Sequence, residues 1–190
     1  MPDKAPVSVI LPTYNRAATI SRAIISVLNQ YPQPLELIVV DDGSYDDTRN
    51  VIESLAAQQI RYLQLPQNVG AHVARNAGIL AARGDFIAFQ DSDDELMPGF
   101  IQEHLNAFKR CKKADVSVVC AVRLSPTGVQ RPIPKRSRLN LECCGDFSNH
   151  LMGGSFIGAP MMMIKRSVLI DVGMFDERRT HLMEDWELAI

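Results

Sequence analysis

The chain has little that would take it into a membrane or onto nucleic acid. Its 190 residues contain no apolar run near the roughly 20 residues that cross a bilayer as a helix. Lys and Arg number 20 against 22 Asp and Glu, a net charge of -2, whereas a nucleic-acid binder is expected to carry a basic face. No G-x-x-x-x-G-K-S/T loop is present, and no G-x-G-x-x-G follows the first apolar segment. Phosphate handling by a P-loop or a dinucleotide fold is thereby excluded. The opening stretch MPDKAPVSVILPTYN lacks the apolar core and small-residue cleavage site of a signal peptide. Cysteine is sparse: Cys111, Cys120, Cys143 and Cys144 fit no zinc spacing. Adjacent cysteines rarely pair with each other. Free thiols in a reducing cytoplasm are the expected state.

What is present is ordinary in bulk. Apolar residues make up 46% and charged residues 22%, as in a soluble globular domain with a sizeable core. Along the chain, short apolar runs alternate with helical patterns. VSVILPT, LELIVVDD, IRYLQL, DFIAFQ and VSVVCAV read as strands. Between the first two, Ile20, Ala23, Ile24, Val27 and Leu28 recur at helical spacing. Further helices are expected over DDTRNVIESLAAQ, with Asp46 or Asp47 as cap, and over GAHVARNAGILAARGD, with Gly84 as C-terminal cap. A fourth is expected over PGFIQEHLNAFKRC, with Pro98 in its first turn. This alternation predicts an α/β fold: a mostly parallel central sheet with helices on both faces.

From 125 to 155 the pattern dissolves into an irregular connection holding Arg131, Lys135, Arg136 and Arg138, which a solvated loop explains. A strand, a short helix and a turn follow in PMMMIKRSVLIDVGMFD, with Met161, Met162 and Met163 as core filling.

The informative feature is where the acids fall. Asp91, Asp93, Asp94 and Glu95 close the apolar run FIAF, and Asp41 and Asp42 close LELIVV. Two carboxylates about 5 Å apart repel by roughly 3 kcal/mol at an effective dielectric near 20. A wet turn with a helix cap accounts for such a cluster. So does a bound divalent cation, because Mg2+ and Mn2+ take hard oxygen ligands together with phosphate oxygens. In open α/β sheets ligands bind outside the carboxyl ends of strands. If strands one, two and four are neighbours, these acids meet there with Pro12, Thr13 and Tyr14, which favours the cation.

Taken in order, VSVILPTYNRAATISRAIISVLNQ, LELIVVDDGSYDDT, NVGAHVARNAGILAARGDFIAFQDSDDELMP and GMFDE followed by MEDWELAI resemble the family 2 inverting glycosyltransferases of GT-A fold. The resemblance covers nearly the whole chain. It implies a single catalytic domain over 1–190, with a nucleotide-sugar donor half over 1–124 and an incomplete acceptor half over 125–190. It also implies a nucleotide-sugar donor, usually a UDP-sugar, a hydroxyl acceptor on a saccharide or lipid carrier, and Mn2+ or Mg2+ as cofactor. Carried over residue by residue, Pro12, Thr13 and Tyr14 line the nucleotide site. Asp42 accepts a hydrogen bond from the base, with Asp41 its competitor. Arg75 reaches the nucleotide and diphosphate. Asp91 approaches the ribose or a metal-bound water, and Asp93 ligates the metal. Asp185 matches the catalytic base, with Glu184 beside it. Without the resemblance, Arg75 reads as a helix arginine reaching for solvent and Asp185 as an acid favoured by a helix N-terminus. Trp186 is core or an acceptor-stacking surface, His181 a structural histidine, and Gly153 and Gly154 a flexible acceptor loop or a plain turn.

Similar proteins continue beyond the point where this chain ends, so a piece of a longer protein is expected. The expected location is the cytoplasm, with peripheral association at the inner membrane face. Two other classes stay open: a donor-binding module without turnover, and a sugar-phosphate nucleotidyltransferase. The second is disfavoured because its Gly-rich basic loop is replaced here by PTYNRAAT.

Overall fold

The computed structural model describes residues 4–124, 127–128, 130–133 and 158–178. Strands β1 (Ala5–Thr13), β2 (Pro34–Asp41), β3 (Ile60–Gln64) and β4 (Phe86–Phe89) run parallel. β5 (Val116–Val118) and β8 (Met162–Lys165) complete a six-stranded sheet of order β3-β2-β1-β4-β8-β5. β8 is antiparallel to both of its neighbours. The expected α/β fold with a mostly parallel sheet is therefore the fold observed. The condition on strand neighbours also holds: β1 lies between β2 and β4, with Thr13 beside Asp41 and Ile10 beside both Ile38 and Phe89.

The sheet separates two cores. On one face Val7, Val9 and Leu11 pack with Ile20, Ala23, Ile24 and Val27 of α1 (Ile20–Leu28) and with Ile101 and Phe108 of α4 (Phe100–Arg110). On the other, Ile10, Ile38 and Phe89 pack with Ala74 and Ile79 of α3 (Ala71–Ala81). The strands read as continuous apolar runs because both faces are covered. Complete burial of a side chain such as Ile10 or Leu37 contributes about 1.5–3 kcal/mol. Met161, Met162 and Met163 lie in this interior, as expected of core filling.

Several local expectations change. VSVVCAV is two strands: β5 joins the main sheet, while β6 (Ala121–Leu124) pairs with β7 (Gln130–Ile133) in a separate hairpin. α2 (Thr48–Ser54) is shorter than its pattern, and Asp46 accepts the Thr48 amide at 3.0 Å. α4 starts after Pro98, because Gly99 is left-handed at φ 86°. Gly84 does not cap α3. A Cβ there would lie 2.6 Å from the Ser8 nitrogen, so glycine lets the chain pass against β1. α5 (Arg166–Asp171) follows β8. Cys120 is a free, exposed thiol, but Cys111 is disulfide-bonded, against the expectation. No helix among the described residues is long and apolar enough to cross a membrane.

Candidate functional site

The loops after β1, β2 and β4 meet at the carboxyl edge of the sheet. Pro12 and Thr13 are buried at the end of β1 and Tyr14 is exposed. Thr13 accepts the Asp42 amide at its carbonyl, 2.8 Å. Asn15, left-handed at φ 52°, accepts the Tyr45 amide at 3.0 Å and donates its own amide to Ser44 Oγ at 2.8 Å. Asparagine tolerates that backbone conformation better than most residues. The rings of Tyr14 and Tyr45 then stand edge to face, 6.1 Å between centroids.

The two aspartates of β2 and its loop divide their tasks. Asp41 is buried and accepts the Ser44 amide and the Tyr62 hydroxyl. Burial, and then the Asp41 carboxylate, push the Tyr62 phenol above its ordinary range. Asp42 accepts the amides of Val69 and Gly70 at 2.9 and 2.8 Å, one on each oxygen. It thereby fixes the entry to α3. A carboxylate has about four acceptor positions, so these two bonds do not exhaust it.

α3 lies close to β1 because of Gly78, where a Cβ would come 2.5 Å from Ile10 Cγ2. That packing carries Arg75 inward. Arg75 is 4% exposed, so it is not a helix arginine reaching for solvent. Its Nη2 lies 3.1 Å from Asp91 Oδ1, and its guanidinium lies 5.6 Å from the centre of the Phe175 ring. Asn76 grips the same turn, donating to the Phe175 carbonyl and accepting its amide. Phe175 in turn stands edge-on to Phe89.

The acidic loop is held chiefly from α1. Arg22 Nη2 donates to the Asp93 carbonyl at 2.7 Å and its Nε lies 3.8 Å from Glu95. Ser26 Oγ accepts the Leu96 amide, and Gln30 donates to the Met97 carbonyl. Arg16 Nη2 approaches Asp93 Oδ2 at 3.6 Å. Three guanidiniums, from Arg16, Arg22 and Arg75, thus face the four carboxylates of 91–95. The Asp94 carboxyl reaches solvent, yet partial burial and then the charges of Asp91 and Asp93 push its pKa up.

The structure brings Pro12, Thr13, Tyr14, Asp42, Arg75, Asp91 and Asp93 to one edge. Asp185 lies outside the described residues, with Gly153, Gly154, His181, Glu184 and Trp186. Arg16, Arg22, Asn76 and Phe175 were missed. For Arg22 the available signal was its spacing with Ser26, four residues apart beside the apolar face of α1. Thr13 Oγ1 and Gln90 Oε1 are buried at this edge with no hydrogen-bond partner among the described residues. Such atoms are few in folded proteins, and this hydroxyl, which can donate or accept, and this amide acceptor stand at the place a ligand is expected. Among the described residues no three His, Cys, Asp or Glu side chains converge. Asp91 and Asp93 are the two carboxylates the resemblance assigns to a cation, with Asp94 and Glu95 beside them in the loop. Such a pair fits an ion that keeps waters and shares substrate phosphates, and not a closed protein cage.

Comparisons with known proteins agree with this geometry. An Escherichia coli protein described as UDP-Glc:alpha-D-GlcNAc-diphosphoundecaprenol beta-1,3-glucosyltransferase WfgD is 46% identical over 88 residues, 46% of this chain and 35% of that one. The Staphylococcus aureus TarS 1-349 structure in complex with UDP superposes with a TM-score of 0.75 at 25% identity, over 96% of this chain and 53% of that one. The mannosyltransferase PcManGT from Pyrobaculum calidifontis, solved with GDP-Man and Mn2+, shares the fold with a TM-score of 0.72 at 20% identity, over 98% and 51%. The matched stretches cover between 28% and 57% of the curated relatives' own lengths. The family model described as Glycosyl transferase family 2 matches residues 8–173, and the chain belongs to that family.

Proposed function

We propose that the chain is the catalytic part of a metal-dependent inverting glycosyltransferase. It moves a sugar from a nucleotide-diphosphate donor, a UDP-sugar, to a hydroxyl acceptor in surface polysaccharide or glycolipid synthesis. Residues 1–124 form the donor half and 125–190 the acceptor half. The observation that carries this reading is the meeting of Thr13, Asp42, Arg75, Asp91 and Asp93 at the carboxyl ends of three adjacent parallel strands. The names of relatives and neighbours, with UDP-Glc, UDP and lipid-diphosphate acceptors among them, support the donor and acceptor classes. A lipid-linked acceptor supports a cytoplasmic location with peripheral association at the inner face of the membrane.

In this reading Tyr14 stacks on the base and Thr13 lines its pocket. Asp42, already fixed by two amides, accepts from the base ring. Arg75 faces the diphosphate, held in place by Asp91 and Phe175. Asp93 and Asp91 would hold Mn2+ or Mg2+, which would supply charge neutralisation for the departing diphosphate. Asp185 takes the acceptor hydroxyl's proton as that oxygen attacks the anomeric carbon. One displacement inverts the configuration.

The test is release of UDP from UDP-sugars, with water or an added saccharide as acceptor, with Mn2+ and with EDTA. Release that requires Mn2+ and is abolished by Asp185→Asn is the expected result. Tight nucleotide-sugar binding with no release under any condition contradicts catalysis and leaves a binding module.

A further inference from the structure

We propose that Arg22 is a positioning residue that sets the metal affinity of the Asp91–Asp93 loop from outside the site. The inference rests on the reading of that loop as a cation site. Arg22 and Ser26 stand one above the other on α1, four residues apart, as side chains at that spacing do, and Gln30 follows just past the Asn29 cap. Each takes a successive main-chain group of the loop. Arg22 donates to the Asp93 carbonyl at 2.7 Å, Ser26 accepts the Leu96 amide at 3.0 Å, and Gln30 donates to the Met97 carbonyl at 3.0 Å. Gln30 also accepts the Ile101 amide at 3.4 Å, which ties the loop's far end to α4.

The opposite face of α1 is locked. Ile20, Ala23, Ile24 and Val27 are fully buried against β1 and β2. The helix is therefore a fixed rule laid along the sheet, and the loop is indexed to it at two points and to the turn after it at a third. Arg22 is the point next to the ligands. It holds the carbonyl of Asp93 and leaves the carboxylate alone; that carboxylate faces Arg16 at 3.6 Å. Its charge also stands 3.8 Å from Glu95. Arg22 thus fixes where Asp93 sits and offsets the repulsion that would spread the loop, without competing for the oxygens a cation needs. The planar fork of arginine reaches a carbonyl and a carboxylate together, which a lysine ammonium does less well.

The test compares the parent with Arg22→Gln and Arg22→Lys. UDP is titrated at one Mn2+ concentration below saturation of the parent and again with EDTA, and the melting temperature is taken without metal. Arg22→Gln is expected to weaken Mn2+-dependent UDP binding about tenfold, the lower end of what losing a group that orients a metal ligand costs. Arg22→Lys recovers part of it. Binding in EDTA and the metal-free melting temperature stay near the parent. An equal loss with and without Mn2+ overturns the proposal, since that is what a merely structural role gives. A parent that binds UDP with Mn2+ dependence, beside an Arg22→Gln variant that matches it, overturns this proposal alone. A parent with no Mn2+ dependence overturns the metal reading and this proposal with it. Should Arg22→Gln not fold, Arg22→Lys and Ser26→Ala carry the same comparison.

Discussion

Arg75 and Asp91 face each other across the carboxyl edge of the sheet, Nη2 to Oδ1 at 3.1 Å, with Arg75 buried and the Asp91 side chain one third exposed. A cation so deeply placed is costly unless paired and hydrogen-bonded. Phe175 adds a ring to one side of the guanidinium. The pair joins α3 to the loop after β4, and so joins the diphosphate side of the proposed donor site to its metal side.

Arg75→Lys is therefore expected to weaken UDP binding by about tenfold, or about 1.4 kcal/mol. A lysine keeps the charge but loses the fork and the contact with the ring. Titration of UDP into both proteins measures it. Equal affinities contradict a direct role for the guanidinium.

Asp93→Ala is expected to abolish the Mn2+ dependence of UDP binding and leave the fold intact. The Asp93 side chain is 54% exposed, and its ion pair with Arg16 is 3.6 Å long. Exposed pairs of that kind contribute little, about 0–1 kcal/mol. A well-folded variant with unchanged Mn2+-dependent affinity contradicts the assignment.

Asp185→Asn is expected to keep UDP-sugar binding and lower turnover by about 100- to 10,000-fold, the range for a general base. Binding by calorimetry and UDP release measured on the same preparation separate the two. Retained turnover moves the base elsewhere.

Gly78→Ala tests how α3 delivers Arg75. The added methyl would meet Ile10 Cγ2 at 2.5 Å, and Ile10 is fully buried. Overpacking of this kind costs about 1–3 kcal/mol. A loss of stability in denaturant, with weaker UDP binding beside it, is the expected result.

The pH dependence of stability has two windows. His104 is fully buried, its Nδ1 2.9 Å from Ser117 Oγ, and burial pushes its pKa down from 6.5 to about 3. Below pH 6.5 the unfolded chain takes up a proton that the folded chain refuses. Stability is thus full above 6.5 and falls as pH drops, by roughly 1.4 kcal/mol per unit until about pH 3. Burial alone would raise the Glu36 carboxyl, but hydrogen bonds from Arg61, Ser8 and Arg83 outweigh it and hold the pKa down, from 4.5 to about 2. Its contribution is present above pH 4.5 and lost as pH falls toward 2. Denaturant midpoints between pH 7 and 4.5 should fall for the parent and flatten for His104→Gln. Parallel curves contradict the burial argument.

Much of the fold was legible because both sheet faces are covered. Leu37 to Val40 is a continuous apolar run, and Val7 to Leu11 is broken only by the buried Ser8, for that reason, and the Ile20, Ala23, Ile24 and Val27 spacing names the inner face of α1. The antiparallel insertion of β8 between β4 and β5 was not legible. Strand pairing is set by long-range contacts, and MMIK carries no mark of its partners. Within the site, residues that close strands were found from position alone. Arg22 and Arg16 were not, because their partners are loop groups some seventy residues away. Phe175 was missed as an Arg75 partner for the same reason. Gly84 was taken for a cap because glycine after a helix usually is one; the close approach of Ser8 is a tertiary fact.

The most direct measurement is calorimetric titration of UDP, with GDP and TDP as controls, in Mn2+ and in EDTA. The account predicts tight binding of UDP over the other two that weakens strongly when the metal is removed. Absence of nucleotide binding in either condition contradicts it, and reduces the acidic loop to a turn held by Arg16, Arg22 and Arg75.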